Sequence, residues 1–155
     1  MKLSTKPFKI ALACDHRGFF LKEKIKKYLE KKGHPTLDFG TDSEVSVDYP
    51  DYILKAAESV SDGKTARAIG ICYTGIGSSI IANKVKGVRA SLVKSVREAK
   101  LTRAHNNSNM LILGSGFLKK QNIIAILEAW LKTPFEGGRH ERRVHKISNY
   151  EKKHL

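Results

Sequence analysis

Three short segments of the sequence bring together side chains that could carry out acid–base or nucleophilic chemistry. The first is Cys14-Asp15-His16-Arg17, and the second is a glycine-rich turn, Cys72-Tyr73-Thr74-Gly75-Ile76-Gly77. The third places a histidine before amides and a hydroxyl, His105-Asn106-Asn107-Ser108-Asn109. Each segment also has a simpler structural interpretation. Asp15 could cap a helix, Cys72 could be a buried structural cysteine, and the amides could form Asx turns.

The turn after Cys72 is typical of a loop that binds anions. Glycines allow several backbone N–H groups to point into one small space. The turn lacks the Gly-Lys-Ser/Thr of a nucleotide P-loop. It also lacks the third glycine and the later acidic residue of a dinucleotide-binding fingerprint. We therefore expect an anion cradle that binds no nucleotide, with Cys72 beside it as a candidate base or nucleophile.

A basic segment near the end of the chain supplies candidate phosphate ligands. It reads Gly137-Gly138-Arg139-His140-Glu141-Arg142-Arg143. Arg139 and Arg143 are separated by one helical turn, so a helix would place both guanidinium groups on one face, where they could bind a phosphate. The alternative is a basic tail that binds no particular ligand.

The elements that must position these residues alternate regularly between strand and helix. The predicted strands are 8–14, 36–39, 66–72, 88–93 and 110–113, and the predicted helices are 18–32, 49–60, 76–85, 95–105, 122–131 and 139–155. This pattern predicts an α/β fold: a Rossmann-like, doubly wound, five-stranded parallel sheet with helices on both faces. The whole chain, 1–155, is predicted to be one domain. Ligands in such sheets bind at the carboxyl ends of the strands, so we expect the site in the turns after Cys14, Cys72, Val93 and Leu113.

Composition limits the class of protein. Of the 155 residues, 41% are hydrophobic and 28% are charged, which is typical of a globular domain. The sequence has neither a membrane-spanning apolar stretch nor a signal-peptide pattern at its start. Its two cysteines, Cys14 and Cys72, have no neighbours at metal-ligand spacing, so we expect neither a zinc site nor a disulfide framework. These features predict a reduced, cytoplasmic protein.

The charge is unusually basic, with 29 lysines and arginines against 15 acidic residues and a net charge of +14. Such a balance favours anionic partners, including nucleic acids and phosphorylated metabolites. Many of the lysines lie in 22–32, where apolar residues recur at helical spacing, so we expect them to line the solvated face of an amphipathic helix. Nucleic-acid binding on an α/β scaffold stays open as an alternative, although the sequence contains no recognised nucleic-acid motif.

Taken together, these motifs resemble type-B ribose-5-phosphate isomerase, within the family that also contains galactose-6-phosphate isomerase subunits. The similarity runs from Lys9 to about Ser148. It rests on Cys14-Asp15-His16 with Gly18, Asp48-Tyr49-Pro50, Cys72-x-Thr74-Gly75-Ile76-Gly77 with Ala82-Asn83-Lys84, His105-Asn106, and Glu136-Gly137-Gly138-Arg139-His140 with Arg143. The resemblance implies interconversion of ribose 5-phosphate and ribulose 5-phosphate through an enediolate, without metal or cofactor. A six-carbon substrate, allose or galactose 6-phosphate, is the alternative within the same class.

The resemblance also implies a role for each matching residue. Cys72 would be the base that moves a proton between C1 and C2, and Thr74 and His105 would assist opening of the furanose ring, with His105 as proton donor. Backbone N–H groups of the turn would stabilise the oxyanion, contributed by Tyr73, Thr74, Gly75, Ile76 and Gly77. The remaining ligands would be Asp15, His16 and Asn106 at the sugar, and Arg139 and Arg143 at the phosphate.

The resemblance implies a homo-oligomer, a dimer or a dimer of dimers, with an active site shared between subunits. The segment 137–155 would pack on a neighbouring subunit, and neither a specific nucleic acid nor a membrane is an expected partner. Two positions depart from the family pattern. Tyr73 stands where the family usually has glycine, and Gly116 stands where many members carry an arginine that reaches the phosphate. We expect these departures to affect phosphate binding or the preferred sugar length.

Overall fold

A five-stranded parallel sheet between two layers of helices is the central feature of the computed structural model, which describes residues 7–119 and 122–155. The strands are β1 (Ile10–Cys14), β2 (Thr36–Asp38), β3 (Arg67–Cys72), β4 (Ala90–Leu92) and β5 (Met110–Gly114). The helices are α1 (Phe19–Lys31), α2 (Tyr49–Ser61), α3 (Ile76–Ala82), α4 (Val96–Asn106), α5 (Ile123–Lys132) and α6 (Arg139–His154). The predicted fold class is confirmed. β4 is shorter than predicted, and α3 ends at Ala82 rather than Val85.

The strand order is β2-β1-β3-β5-β4, and all four neighbouring pairs are parallel. The chain passes from β1 outward to β2 and then returns to place β3 on the other side of β1. The boundary between β1 and β3 is therefore the switch point of the sheet, where ligands of open α/β folds bind. The register pairs Cys14 with Ile71 and Cys72 with Gly114, so the turns after β1, β3 and β5 begin side by side.

Two apolar cores hold the sheet between its helices. Every residue of β1 and β5 is buried, as continuous apolar strands in a parallel sheet must be. One core packs strand residues against α1, α4 and α5; its members include Leu12, Ile69, Leu111, Ile25, Leu29, Ala99, Ile126 and Trp130. The other packs smaller strand residues against α2 and α3; its members include Ala11, Ala13, Ala68, Ile53, Ala56, Ala57 and Ala82. Helices therefore cover both faces, as predicted.

The start of α4 follows the local signal in the sequence. The Ser95 hydroxyl accepts the Glu98 N–H at 3.1 Å, and the Glu98 carboxylate accepts the Ser95 N–H at 3.1 Å, which completes a capping box. Asp48 stands at the N-cap of α2, but its side chain makes no capping hydrogen bond. Among the helices of residues 7–119 and 122–155, none has the length and apolar content needed to cross a bilayer.

Lys22 is an exception to the predicted solvated face of α1. Its side chain is 2% exposed, and its ammonium group donates to Asp38 Oδ2 at 2.6 Å and to Glu23 Oε1 at 2.8 Å. Lys26 reaches the same carboxylate at 3.0 Å, with a side chain that is 32% exposed. Desolvation by itself raises the pKa of Asp38, but the hydrogen bonds from Lys22, the Gly40 N–H and Lys26 outweigh it, so the pKa lies below its ordinary value. The ion pair between Lys22 and Asp38 therefore connects α1 to the end of β2.

Replacement of Lys22 tests how much this ion pair stabilises the fold. We expect Lys22→Met to lower the free energy of unfolding by about 2 kcal/mol or more, because it leaves a partly buried carboxylate with fewer partners. Lys26→Met is the matched control, since it removes a more exposed cation from the same carboxylate and should cost less than about 1 kcal/mol. Urea denaturation of the two variants measures the difference, and equal losses would contradict this account.

Candidate active site

The turns after β1, β3 and β5 meet at the carboxyl edge of the sheet. The Ser115 N–H donates to the Cys72 carbonyl at 2.9 Å, and the Gly116 N–H donates to the Tyr73 carbonyl at 2.9 Å. The Ser115 hydroxyl also donates to the Arg17 carbonyl at 2.9 Å. Hydrogen bonds therefore join all three turns. This edge was predicted from the alternation of strands and helices, and it is where Cys72 lies.

The glycine-rich turn folds tightly around the Cys72 sulfur. The Gly75 N–H donates to Cys72 Sγ at 3.2 Å, and the Ile76 N–H donates to Thr74 Oγ1 at 3.1 Å. Gly75 has a φ of +78°, and a Cβ there would lie 2.4 Å from Leu92 Cδ1, so the turn requires glycine at this position. Cys72 is almost fully buried, with 4% exposure. A backbone N–H that donates to a cysteine sulfur favours the thiolate form, which is the form that acts as a base.

Asp15 and His16 follow β1 directly and lie at the same edge. Asp15 Oδ1 accepts the Arg17 N–H at 2.9 Å and the Gly18 N–H at 3.1 Å, so this carboxylate shapes the turn into α1, although the N-cap of the helix is Gly18 and not Asp15. His16 Nδ1 accepts the Val47 N–H at 3.2 Å. A neutral imidazole that accepts at Nδ1 carries its proton on Nε2, so the Nε2–H group of His16 is left as a donor.

The other predicted site residues lie at the opposite, amino edge of the sheet. His105 and Asn106 end α4, and α4 leads back from the carboxyl edge to the start of β5. Arg139 and Arg143 occupy the first turns of α6, which follows α5 at that same edge. At about 3.3 Å per residue, the length of β5 alone is about 15 Å. The structure therefore does not bring these four residues together with Cys72 within one chain.

A stacked pair of histidines is the centre of the amino-edge cluster. The rings of His105 and His140 are parallel within 4°, with centroids 4.1 Å apart. Glu136 Oε2 lies 3.8 Å from His105 Nε2 and 3.5 Å from His140 Nε2. Burial lowers the pKa of His140, and the positive charges of His105 and Arg139 act in the same direction against the opposing effect of Glu136. The sequence reasoning assigned no role to Glu136 or His140, because only the packing of α6 on α4 brings them to His105.

Three side chains of this cluster could in principle ligate a metal ion. One ligand atom each from His105, Glu136 and His140 lies within 4.8 Å of the others. However, the two imidazole rings lie in parallel planes, so their in-plane nitrogen lone pairs do not point at one metal ion. Arg139 Nε also lies 3.5 Å from His140 Nε2, which places a positive charge beside this nitrogen. The group fits a cluster of acid–base side chains better than a metal site, and the expectation of a metal-free and cofactor-free site stays a prediction.

Alkylation rates of the two cysteines test the different settings of Cys14 and Cys72. Burial raises the pKa of the Cys14 thiol to about 12, so at pH 8 only about one thiol in ten thousand is ionised. We expect iodoacetamide to label Cys72 before Cys14 in the folded protein and to label both at similar rates in guanidinium chloride. Peptide mass spectrometry measures this order, and faster labelling of Cys14 in the folded protein would contradict it.

Comparison with known proteins places this geometry among sugar-phosphate isomerases. The profile described as Ribose/Galactose Isomerase matches residues 10–147. The chain is 41% identical over 145 residues to ribose-5-phosphate isomerase B of Escherichia coli (strain K12), covering 94% of this chain and 97% of the relative. The structure of Clostridium thermocellum ribose-5-phosphate isomerase B superposes with a TM-score of 0.93 at 46% identity, covering 95% of this chain and 99% of the other. The Mycoplasma genitalium enzyme, solved with bound ribulose-5-phosphate, gives a TM-score of 0.89 at 42% identity, with coverage of 94% and 97%.

Proposed function

The chain belongs to the ribose/galactose isomerase family, and from this premise we propose that it interconverts ribose 5-phosphate and ribulose 5-phosphate. The observation that carries the proposal is the Cys72 sulfur, held against a backbone N–H of the glycine turn at the switch point of the sheet. An aldose–ketose isomerase needs a base next to fixed N–H donors, and this turn supplies both.

Proton transfer at the sugar carbons is the step assigned to Cys72. In the aldose-to-ketose direction, the thiolate takes the proton from C2, and the electron pair forms the C1–C2 double bond while the carbonyl oxygen on C1 becomes an oxyanion. The backbone N–H groups of residues 73–77 stabilise that oxyanion; loss of one such donor typically costs about 3 kcal/mol of barrier. The thiol then returns the proton to C1, and the hydroxyl proton on O2 moves to O1, which leaves the carbonyl at C2.

Ring opening must precede this step when the sugar enters as a furanose. An acid protonates the ring oxygen while the anomeric hydroxyl loses its proton, and the ring C–O bond breaks. We assign the acid to His105, with Thr74 as its helper and Asp15, His16 and Asn106 as sugar ligands. Arg139 and Arg143, one helical turn apart, suit the phosphate because two guanidinium forks on one face can bind its oxygens.

A second copy of the chain is required to complete this site. His105, Asn106, Arg139 and Arg143 lie at the amino edge of the sheet, whereas Cys72 lies at the carboxyl edge, so we propose that each site combines the carboxyl edge of one subunit with the amino edge of another. Exposed apolar side chains near both clusters support such a contact; they are Ile76 and Ile80 on α3, and Ile147 and Tyr150 on α6. We therefore propose that the protein is a homo-oligomer, either a dimer or a dimer of dimers.

In this arrangement, the C-terminal segment 137–155 contacts both its own chain and the partner subunit. Within its own chain, α6 buries His140, Val144 and Glu151, and the Glu151 carboxylate accepts the Gly87 N–H at 3.3 Å. On the same helix, Ile147 and Tyr150 stay 47% and 65% exposed. We propose that these two exposed side chains pack on the partner subunit.

A phosphorylated metabolite also accounts for part of the basic charge without a nucleic-acid partner. Lys22, in the lysine-rich segment that motivated the nucleic-acid alternative, is buried in an ion pair rather than displayed on a basic surface. Cys14 and Cys72 are both unpaired and buried, which suits a reducing compartment, and we propose a cytoplasmic location.

Substitution of Cys72 tests the proposed base. We expect Cys72→Ala to lower kcat for ribose 5-phosphate by at least about a thousandfold with little change in the unfolding midpoint, because the proton acceptor is lost. Cys14→Ala is the matched control, since it removes a sulfur from the neighbouring strand end and should keep turnover. A chelator should leave wild-type activity unchanged.

Two outcomes of this assay would change the proposed base or the proposed substrate. Full turnover by Cys72→Ala would overturn the assignment of the base. Failure of the wild type on ribose 5-phosphate, together with turnover of allose or galactose 6-phosphate, would favour the six-carbon alternative, and the ratio of kcat/KM values between five- and six-carbon substrates measures it.

Mixing of two inactive variants tests the shared site. When Cys72→Ala and His105→Ala subunits are unfolded together and refolded, half of the random dimers are mixed, and each mixed dimer contains one site with both residues intact. We expect recovery of about a quarter of wild-type activity from the mixture and none from either variant refolded alone. Absence of recovery, with dimers present by light scattering, would contradict a site composed of two subunits.

A further inference from the structure

The ring of Tyr73 occupies the space in which residue 116 would carry a side chain. A Cβ placed on Gly116 would lie 2.3 Å from Tyr73 Cε2 and 2.6 Å from Tyr73 Cζ, closer than such atoms approach in proteins. The backbone of Gly116 is not in the left-handed region, so its φ would accept any residue. A side chain at residue 116 would therefore displace the Tyr73 ring. Tyr73 and Gly116, the two positions that depart from the family pattern, therefore belong to the same packing arrangement.

Arg17 completes this arrangement. Its guanidinium carbon lies 4.3 Å from the centroid of the Tyr73 ring, a cation–π contact. The Phe117 ring packs edge-on against the same tyrosine, with centroids 5.8 Å apart. The Arg17 carbonyl accepts the Ser115 hydroxyl at 2.9 Å. Arg17 is thus connected to the turn after β3 by its side chain and to the turn after β5 by its backbone.

Arg17 supplies the permanent positive charge of the turns that follow β1 and β3. In the turns formed by residues 15–18 and 73–75, Arg17 is the one side chain with a permanent positive charge. Arg139 and Arg143 lie at the amino edge of the same chain. A guanidinium that stacks through its face keeps its in-plane N–H groups directed outward, where they can bind two oxygens of a phosphate.

We propose that Arg17 binds the phosphate of the substrate from the carboxyl edge, and that Tyr73 is the positioning residue that holds its guanidinium there. The inference rests on the proposed function and adds to it a cation from the subunit that contributes Cys72. The phosphate then contacts guanidinium groups of both subunits. Gly116 takes part by leaving room for the Tyr73 ring.

Steady-state kinetics of Arg17→Gln test the phosphate contact. We expect KM for ribose 5-phosphate to rise by about tenfold and kcat to stay within about twofold, because a remote phosphate ligand contributes equally to the ground state and the transition state. Lys27→Gln is the matched control, since it removes one positive charge from an exposed position of α1 and should leave both constants unchanged.

A binding measurement separates failure of this inference from failure of the proposed function. Isothermal titration with inorganic phosphate should show binding by the wild type and about tenfold weaker binding by Arg17→Gln, whether or not ribose 5-phosphate is turned over. A wild type that binds phosphate but does not isomerise ribose 5-phosphate would refute the proposed function alone. Unchanged phosphate affinity and unchanged KM in Arg17→Gln would overturn the inference while leaving the proposed function intact.

The positioning role of Tyr73 predicts that its substitution and that of Gly116 act through one contact. Tyr73→Leu removes the stack, and Gly116→Ala displaces the ring, so each should raise KM by about fivefold with a smaller effect on kcat. The double variant should be no worse than either single one. Tyr73→Phe keeps the ring and should recover most of the lost affinity. Multiplicative effects in the double variant, or no effect of Gly116→Ala, would overturn the positioning role.

Discussion

The close approach of the turn after Cys72 to the end of β5 is the contact on which the site depends. A Cβ on Gly114 would lie 2.5 Å from the Thr74 carbonyl oxygen, so the two backbones touch without a side chain between them. This approach allows Ser115 and Gly116 to donate to the carbonyls of Cys72 and Tyr73. The glycine turn is thereby held on two sides, by its own hydrogen bond to the Cys72 sulfur and by the neighbouring strand end. A preorganised turn of this kind stabilises developing charge without having to reorganise during the reaction.

The parallel topology explains why one chain contains only half of the proposed chemistry. Each helix that follows a strand returns the chain to the amino edge before the next strand begins. Residues that end or directly follow strands therefore gather at one edge, and residues that end helices gather at the other. Cys72 belongs to the first class, and His105 and Asn106 belong to the second. A reaction that needs both classes at one substrate must combine two copies of the chain, which makes oligomerisation part of the proposed catalytic site.

The two edges also differ in how their charged groups are held. At the carboxyl edge, Arg17 lies on an aromatic ring and Asp15 accepts backbone N–H groups, so each charge has a fixed partner within the chain. At the amino edge, two imidazoles stack on each other beside Glu136, with Arg139 close to the buried ring. The first edge thus combines a base with fixed backbone N–H donors, whereas the second groups imidazoles, a carboxylate and guanidinium groups.

Local patterns in the sequence determined the elements and many of the candidate residues. Apolar runs that alternate with helical patterns predicted the five parallel strands, and the glycines after Cys72 predicted an N–H-lined turn at a strand end. These features depend on dihedral preferences and on residues a few positions apart, which the sequence records directly. Tertiary structure alone decided that Lys22 is buried on Asp38, that His140 stacks on His105, and that the Tyr73 ring occupies the space next to Gly116. Those contacts join residues far apart in the chain, and they arise from strand order and helix packing, which no local pattern contains.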